Sequence, residues 1–319
     1  MSGHAPDVSI VIVSYNTIGL LRNCLRSIPE SVEPFTHETI VVDNMSRDGS
    51  ADMVEREFPE VRLIRAPRNL GFAGGNNAAF KLARGHLVYC LNPDTVSHPG
   101  SLAGLIRLIS SDHSLGYVGP KLLYEDGSHQ MSAYRFHTPL SGFFSWSMLG
   151  LDRRFPRSRH CLSLHHLHGC DEPFEVDWLT GAAILTRQSV IEQVGGYDDG
   201  YFLYAEEIEW CWRMHGAGWR GRYEPSAVVT HIRAASTSHL DDAHAFHGHD
   251  PSLLIRSHRR LARQTLGLPR AIVSQLMHLA GVSLAWLRNV PPLPGRNPAT
   301  RRRAWIWMKY LVWPTASKR

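Results

Sequence analysis

The chain has 319 residues, of which 43% are hydrophobic and 20% charged, the balance of a soluble globular protein large enough for one big α/β domain or two smaller ones. Charge is divided unevenly: residues 251–319 carry 13 Lys or Arg and no acid, whereas the first 250 carry 21 basic and 29 acidic side chains. Five cysteines, Cys24, Cys90, Cys161, Cys170 and Cys211, lack CxxC spacing, which excludes a disulfide framework and points to reduced thiols in a cytoplasmic compartment.

The N-terminal MSGHAPDVSIVIVSYN has no basic leader followed by an apolar stretch, so no secretory signal is expected. VSIVIVSYN (8–16) is a β-branched run ending in turn formers, the pattern of a buried parallel strand. TIGLLRNCLRSI follows with helical periodicity. ETIVVDN (38–44) is the next strand, and SRDGSADMVEREF starts a second helix with Ser46 or Asp48 as its cap. VRLIRAP is a third strand, NLGFAGGNNAAFKLARG a glycine-rich turn entering a helix, and HLVYCLNPD a fourth strand. Strands alternating with helices predict a doubly wound, mostly parallel α/β sheet, whose ligands bind beyond the carboxyl ends of the strands. Those ends carry Ser14-Tyr15-Asn16, Asp43-Asn44 and Asn92-Pro93-Asp94. The middle, 120–176, carries little pattern, and SRHCLSLHHLHGC within it reads as a loop or mobile insertion. Order resumes with a strand at 178–186, a short helix, a Gly-Gly turn and a helix from about Ala205 to His215.

Several of these positions can carry chemistry. Asp43 with Asn44 and Ser46 can hold a nucleobase or ribose, or equally cap the helix that follows. Asn92-Pro93-Asp94 suits a hard divalent cation that keeps nucleotide phosphates among its ligands, and is also good turn chemistry. Gly71, Gly74 and Gly75 do not form GxGxxG, and the first strand ends without glycine, which argues against a dinucleotide-binding dehydrogenase. The helix they enter can offer amides to a phosphate or sugar, with Asn76 and Asn77 as further donors. In YFLYAEEIEWCWR (201–213), Glu206 and Glu207 fall in the first turn of a helix, and Glu209 stands four residues before Arg213 as an ion pair. Glu207 shares a face with Trp210, Cys211 and Met214 and is placed for proton abstraction. His231 ends a later apolar strand as a metal ligand or a core histidine.

Together these segments resemble a family 2 glycosyltransferase of the GT-A fold, in particular its rhamnosyltransferase-like branch. The resemblance runs from Val8 to about Ser236 through SIVIVSYN, VVDNMSRDGS, NLGFAGGNN, LNPDT, VDWLTGAAILTR, GGYDDGYFLYAEEIEWCWRMHGAGW and VVTH. It implies inverting transfer from a nucleotide-diphosphate sugar, with dTDP-L-rhamnose the best match, onto a glycan or polyprenyl-diphosphate-linked hydroxyl. The nucleotide would lie on Ser14, Tyr15, Asn16, Asp43, Asn44, Ser46, Gly74, Asn76 and Asn77. Asp94 and His231, with Asn92, would hold Mg²⁺ or Mn²⁺. Glu207 would be the base with Glu206 in reserve, and Asp177, Trp178 and Gly181 would face the acceptor, Trp178 offering its ring to a sugar. Two positions depart from the family pattern: the DxD-like element starts with Asn92, and the base is Glu rather than Asp. Both also suit a non-catalytic nucleotide-sugar-binding module, the competing reading.

The expected division is a transferase domain over 1–236 and a basic helical segment over 237–319. That segment carries Trp286, Trp305, Trp307 and Trp313, and an uncharged stretch, Ala271–Leu287, too short to span a bilayer. Basic, tryptophan-bearing helices suit the inner membrane face, placing the protein peripherally there beside a lipid acceptor; the alternative is a helical subdomain with a solvated basic face. Nothing in the first 236 residues asks for nucleic acid.

Overall fold

The computed structural model describes residues 5–167, 170–232, 251–289 and 298–312. The chain forms two compact units. The first contains Met1–Ala133, Leu167–Phe202 and Glu206–Ser236; the second contains Tyr134–His166, Leu203–Ala205 and Thr237–Arg319. The middle segment that carried little sequence pattern is thus largely folded with the helices after residue 250.

In chain order the elements are β1 (Val8–Ser14), α1 (Ile18–Val32), β2 (His37–Asp43), α2 (Ser50–Glu57), β3 (Arg62–Arg65), α3 (Gly71–Phe80), β4 (Leu87–Leu91), β5 (Thr95–Ser97), α4 (Ser101–Ser111), β6 (Leu115–Leu123), β7 (His129–Gln130) and β8 (Ala133–Tyr134). They continue with α5 (Ser141–Trp146), α6 (Leu151–Arg154), β9 (Phe174–Val176), β10 (Trp178–Leu179), β11 (Ala183–Arg187), α7 (Gln188–Val194), α8 (Glu206–Gly216) and β12 (Arg220–His231). Three helices follow: α9 (Pro251–Leu266), α10 (Leu268–Arg288) and α11 (Pro298–Val312).

The main sheet runs β3-β2-β1-β4-β11-β6-β12-β5. β3, β2, β1 and β4 are parallel, β12 is parallel to β6, and β11 runs antiparallel between β4 and β6. β1 is buried along its whole length, which is why its sequence is a nearly unbroken apolar run. Its Val8, Ile10 and Ile12 face a core shared with Leu21, Leu25 and Ile28 of α1 and Leu102 and Leu105 of α4. Each such side chain, once enclosed, contributes about 2 kcal/mol from burial. On the other face Val13 meets α3 at Gly75, where an added Cβ would stand 2.7 Å from Val13 Cγ1; only glycine permits that approach.

Three local expectations differ from the structure. Helix α2 begins at Ser50 because Gly49 takes the left-handed conformation (φ +84°) at the N-cap position. Asp48 instead ties two elements together, accepting from Ser50 N (3.0 Å) and Ile18 N (2.8 Å). Gly71, Gly74 and Gly75 lie within α3 rather than in a loop before it. The strand expected over 178–186 is broken at Thr180–Ala182 into β10 and β11.

In the second unit Ile255, Val282, Trp307 and Leu311 form a small core with Trp146 packed against it. The rings of Trp146 and Trp307 lie 4.7 Å apart. No helix among the described residues is long and apolar enough to cross a membrane. Trp313 lies outside the described residues, as do parts of the basic segment expected over 237–319.

Candidate active site

The register of the sheet sets one rim. Ser14 pairs with Asp43, Ile12 with Leu91, and Ala183 with Leu91. The carboxyl ends of β1, β2 and β4 therefore meet the start of β11. Asp43 and Asn92 are two strands apart on this rim, roughly 10 Å at the ordinary strand spacing.

At the β2 end, Asp43 Oδ2 accepts from Ser46 N at 3.1 Å, while Asp43 Oδ1 is buried with no hydrogen-bond partner among the described residues. A buried acceptor of this kind asks for a donor from a ligand. The loop after β1 is sewn to the loop after β2: Asn16 N donates to Ser46 Oγ (3.0 Å) and Arg47 N to Asn16 Oδ1 (2.8 Å). Asn16 and Met45 both have left-handed backbones, and the Tyr15 side chain between these turns is exposed. Ser14 is buried, its hydroxyl 2.8 Å from that of Thr17.

The asparagines expected to offer donors are occupied by the fold. Asn44 accepts from Leu70 N (2.8 Å) and donates to Asn69 Oδ1 and the Gly71 carbonyl. Asn76 is buried and donates to the Phe72 carbonyl. Asn77 donates to the Tyr197 carbonyl and Asp199 Oδ1, and accepts from Tyr197 N. The first amides of α3 are satisfied too: Gly71 N donates to Asn69 Oδ1 and Phe72 N to the Phe202 carbonyl. Gly74 sits on this helix with Leu70 Cβ 3.2 Å from where its own Cβ would be. Asn77 and Phe72 N thus tie α3 to the 196–202 segment.

Beyond β4, His231 Nε2 lies 3.3 Å from Asp94 Oδ1, and both residues are buried. His231 Nδ1 is 3.1 Å from Gln130 Oε1. An amide oxygen only accepts, so Nδ1 is the protonated nitrogen. In a neutral ring Nε2 then turns a lone pair toward the Asp94 carboxylate, an arrangement that a cation between them satisfies. Asn92 Oδ1 is likewise buried without a partner among the described residues. Those residues contain no cluster of three His, Cys, Asp or Glu side chains able to hold a metal. A cation here would therefore draw on Asp94 and His231 and complete its shell with nucleotide oxygens and water. The β6–β7 hairpin delivers Gln130, pairing Leu122 with Gln130. Sequence reasoning missed this residue, although Asp126-Gly127 is a hairpin signal two residues before β7.

Helix α8 supplies the carboxyls. It starts after two left-handed residues, Tyr204 (φ 72°) and Ala205 (φ 69°), a conformation costly for side-chain-bearing residues and found where a chain is held for function. Glu209 is buried and paired with Arg213 at 2.8 Å, as the spacing predicted. Glu206 is not a charged first-turn cap. It is buried, Oε2 has no partner among the described residues, and burial, aided by the neighbouring Glu207 charge, raises its pKa well above the carboxylate range. Enclosure thus favours the protonated form of Glu206. Glu207 is half-buried and stands against Gly181, whose added Cβ would be 3.6 Å from Glu207 Cβ. Asn92 N donates to the Ala182 carbonyl (2.8 Å), which ties the Gly181 turn to the Asp94 loop. Asp177 is half-buried, its carbonyl accepting from the Tyr117 hydroxyl. Trp178 is only 8% exposed, so its ring forms wall rather than a platform open to a sugar.

The sequence matches the description glycosyl transferase family 2 over residues 9–173. The chain is a family 2 glycosyltransferase. Among its relatives is the N-acetylglucosaminyl-diphospho-decaprenol L-rhamnosyltransferase of Mycobacterium tuberculosis, 28% identical over 309 residues, covering 90% of this chain and 98% of the relative. The rhamnosyltransferase WbbL of Escherichia coli is 30% identical over 235 residues, 70% of this chain and 83% of that one. The fold is that of the mannosyltransferase PcManGT from Pyrobaculum calidifontis, solved with GDP-Man and Mn²⁺, at a TM-score of 0.57 and 17% identity over 97% of this chain and 86% of that chain. Asp43 Oδ1 is thus a buried acceptor without a partner among the described residues, Asp94 and His231 face each other, and Glu207 stands against Gly181.

Proposed function

We propose that the protein is an inverting, divalent-metal-dependent transferase that moves L-rhamnose from dTDP-L-rhamnose onto a hydroxyl of an N-acetylglucosaminyl-diphospho-polyprenol or related glycan. The observation that carries this reading is the Asp94–His231 pair, opposed at 3.3 Å with Gln130 behind it, on the rim that also bears Glu207. The near end-to-end relationship with the mycobacterial rhamnosyltransferase supports the choice of donor and acceptor.

In this scheme Asp43 Oδ1 accepts from the nucleobase, with Tyr15, Asn16 and Ser46 around the base and ribose. Asp94 and His231 hold Mg²⁺ or Mn²⁺. When bound, that ion stabilises the charge that builds on the departing diphosphate. Glu207 takes the proton of the acceptor hydroxyl as its oxygen attacks the anomeric carbon from the face opposite the diphosphate, and the configuration inverts. Glu206, neutral, keeps like charge away from Glu207 and fixes the start of α8. Gly181 leaves space beside Glu207 for the acceptor sugar, with the Asp177 carboxylate near it. The first unit carries the chemistry, and the basic second unit holds the protein on the cytoplasmic membrane surface near a lipid-linked acceptor.

The test is a transfer assay with a panel of nucleotide sugars and an N-acetylglucosaminyl-diphospho-polyprenol acceptor, read by mass spectrometry and by NMR of the new anomeric centre. The reading expects product only with dTDP-L-rhamnose, inverted geometry, and loss of product with a chelator that Mn²⁺ or Mg²⁺ restores. Turnover that survives full chelation, or that proceeds with another donor alone, would overturn it.

A further inference from the structure

The second unit contains a cavity of about 240 Å³. Its walls are largely apolar, with Trp146, Leu254, Ile255 and Trp307 among them. An apolar void of about 150 Å³ accepts benzene, so this one has room for about ten hydrocarbon carbons. A single chain fits such a space.

The cavity also has a cation with no counter-ion among the described residues. Arg259 lines it, and its guanidinium donates to the Leu311 carbonyl, but Nε is buried with no partner among the described residues. Burial and the neighbouring Arg263 both depress its pKa, and no carboxylate among the described residues opposes them. Asp152 is the only acidic residue among the described residues of this unit. His137 Nδ1 and His278 Nε2, on two further lining residues, are likewise buried without partners. A half-buried guanidinium whose enclosed Nε lacks a partner among the described residues can be satisfied by an anion.

The wall continues onto the surface. Leu268 and Ile272 of α10 line the cavity and are 58% and 52% exposed, and Leu276, one turn further along the same stripe, is exposed as well. A hydrocarbon alone would leave Arg259 unpaired, and a small anion alone would leave the apolar volume empty. Both demands are met by one molecule with an anionic head on a long, single hydrocarbon chain.

We propose that this cavity is a binding site for an isoprenoid diphosphate: the diphosphate pairs with Arg259, about two isoprene units fill the void, and the remaining chain leaves along Leu268, Ile272 and Leu276. The choice of an isoprenoid rests on the lipid-linked acceptor proposed above.

The experiment uses the full chain and geranyl diphosphate, a water-soluble ten-carbon probe, with tryptophan fluorescence reporting through Trp146 and Trp307. Inorganic diphosphate and phosphatidylglycerol vesicles are the comparison arms. Saturable binding of geranyl diphosphate is expected, about tenfold or more tighter than inorganic diphosphate. Ala262→Phe, which fills the cavity, and Arg259→Gln should each weaken it by about tenfold while dTDP binding is unchanged. Should Ala262→Phe fail to fold by circular dichroism, Ser274→Leu fills the same space. Equal affinity for inorganic diphosphate, indifference to the filling variants, or full displacement by phosphatidylglycerol would each overturn the site. Transfer to a lipid-linked acceptor with unchanged KM in Ala262→Phe would also overturn it while leaving the acceptor assignment intact. Geranyl diphosphate binding that responds to the variants, in a protein that glycosylates no polyprenyl-linked acceptor, would uphold the site and remove the acceptor assignment.

Discussion

His231 Nε2 and Asp94 Oδ1 face each other at 3.3 Å, and the other nitrogen of that imidazole is held by Gln130. Under the proposed function a divalent cation would lie between these two side chains, with Gln130 fixing the imidazole from behind. Gln130→Leu should therefore weaken Mn²⁺ binding by about 10–100-fold, the range seen when a ligand's supporting hydrogen bond is lost. Mn²⁺ titration by electron paramagnetic resonance measures this directly. An affinity within twofold of wild type would show that Gln130 does not support a metal ligand.

The two adjacent glutamates should respond in opposite ways to amide replacement. Enclosure favours the neutral form of Glu206, so Glu206→Gln keeps its shape and that charge and should retain most of kcat. Glu207→Gln removes the proposed base and should lower kcat by about 10²–10⁴-fold, the usual worth of positioned proton transfer, with donor binding preserved. Steady-state kinetics beside dTDP titration separates these outcomes.

Glu206 also makes stability depend on pH. Its folded-state pKa is raised above the ordinary value of 4.5, so the folded state holds the proton more tightly than the unfolded chain. Its favourable contribution is complete below the unfolded value and is lost as pH rises through the raised one, with a slope of at most about 1.4 kcal/mol per pH unit. Thermal melts of wild type should fall more steeply than those of Glu206→Gln as pH rises above about 4.5. Parallel curves would contradict a buried neutral carboxyl.

The second unit should fail at the acid side. Burial lowers the pKa values of His137, His258 and His278 to about 3, 4 and 3. A depressed folded-state pKa means that stability is present above the unfolded value of 6.5 and declines below it, through each folded value in turn. Fluorescence of Trp146 and Trp307 should report loss of this packing as pH falls below about 6, ahead of the sheet's far-ultraviolet signal.

Arg213 joins the buried Glu209 to the carbonyls of Val194 and Gly196. Arg213→Met leaves that carboxylate buried and uncompensated, and should cost about 3–5 kcal/mol. Gly75→Ala should cost about 1–3 kcal/mol, because α3 must back away from Val13. Urea unfolding curves test both.

What could be read in advance followed from the kind of signal involved. Val8–Ser14 and Leu87–Leu91 are β-branched or apolar along their whole length because both faces are covered, and the helix at 206–216 shows its period and its Glu209–Arg213 pair. Asp43, Asp94, Glu207 and His231 could be singled out as candidates because each sits where an apolar run ends or a helix starts. Asn44, Asn76 and Asn77 look like donors for a ligand in the sequence, and the structure shows that each also has a partner within the fold, two of them far away in the chain. Glu206 and Glu207 are equivalent by spacing, and only enclosure by the folded chain separates the neutral one. Gln130 and the cavity around Arg259 depend on contacts 101 and 52 residues apart in sequence, beyond any periodicity.

β11 runs against its neighbours, so it begins where β4 finishes, and a single peptide-to-peptide link joins Asn92 to Ala182. The loop after β4 and the loop before β11, which the proposed function gives to donor and acceptor, are therefore bolted to each other. Inserting or deleting residues at 180–182 to admit a bulkier acceptor would drag the carboxylate at position 94 along with it. Redesign of acceptor range in this protein should proceed by exchanging side chains at fixed loop length.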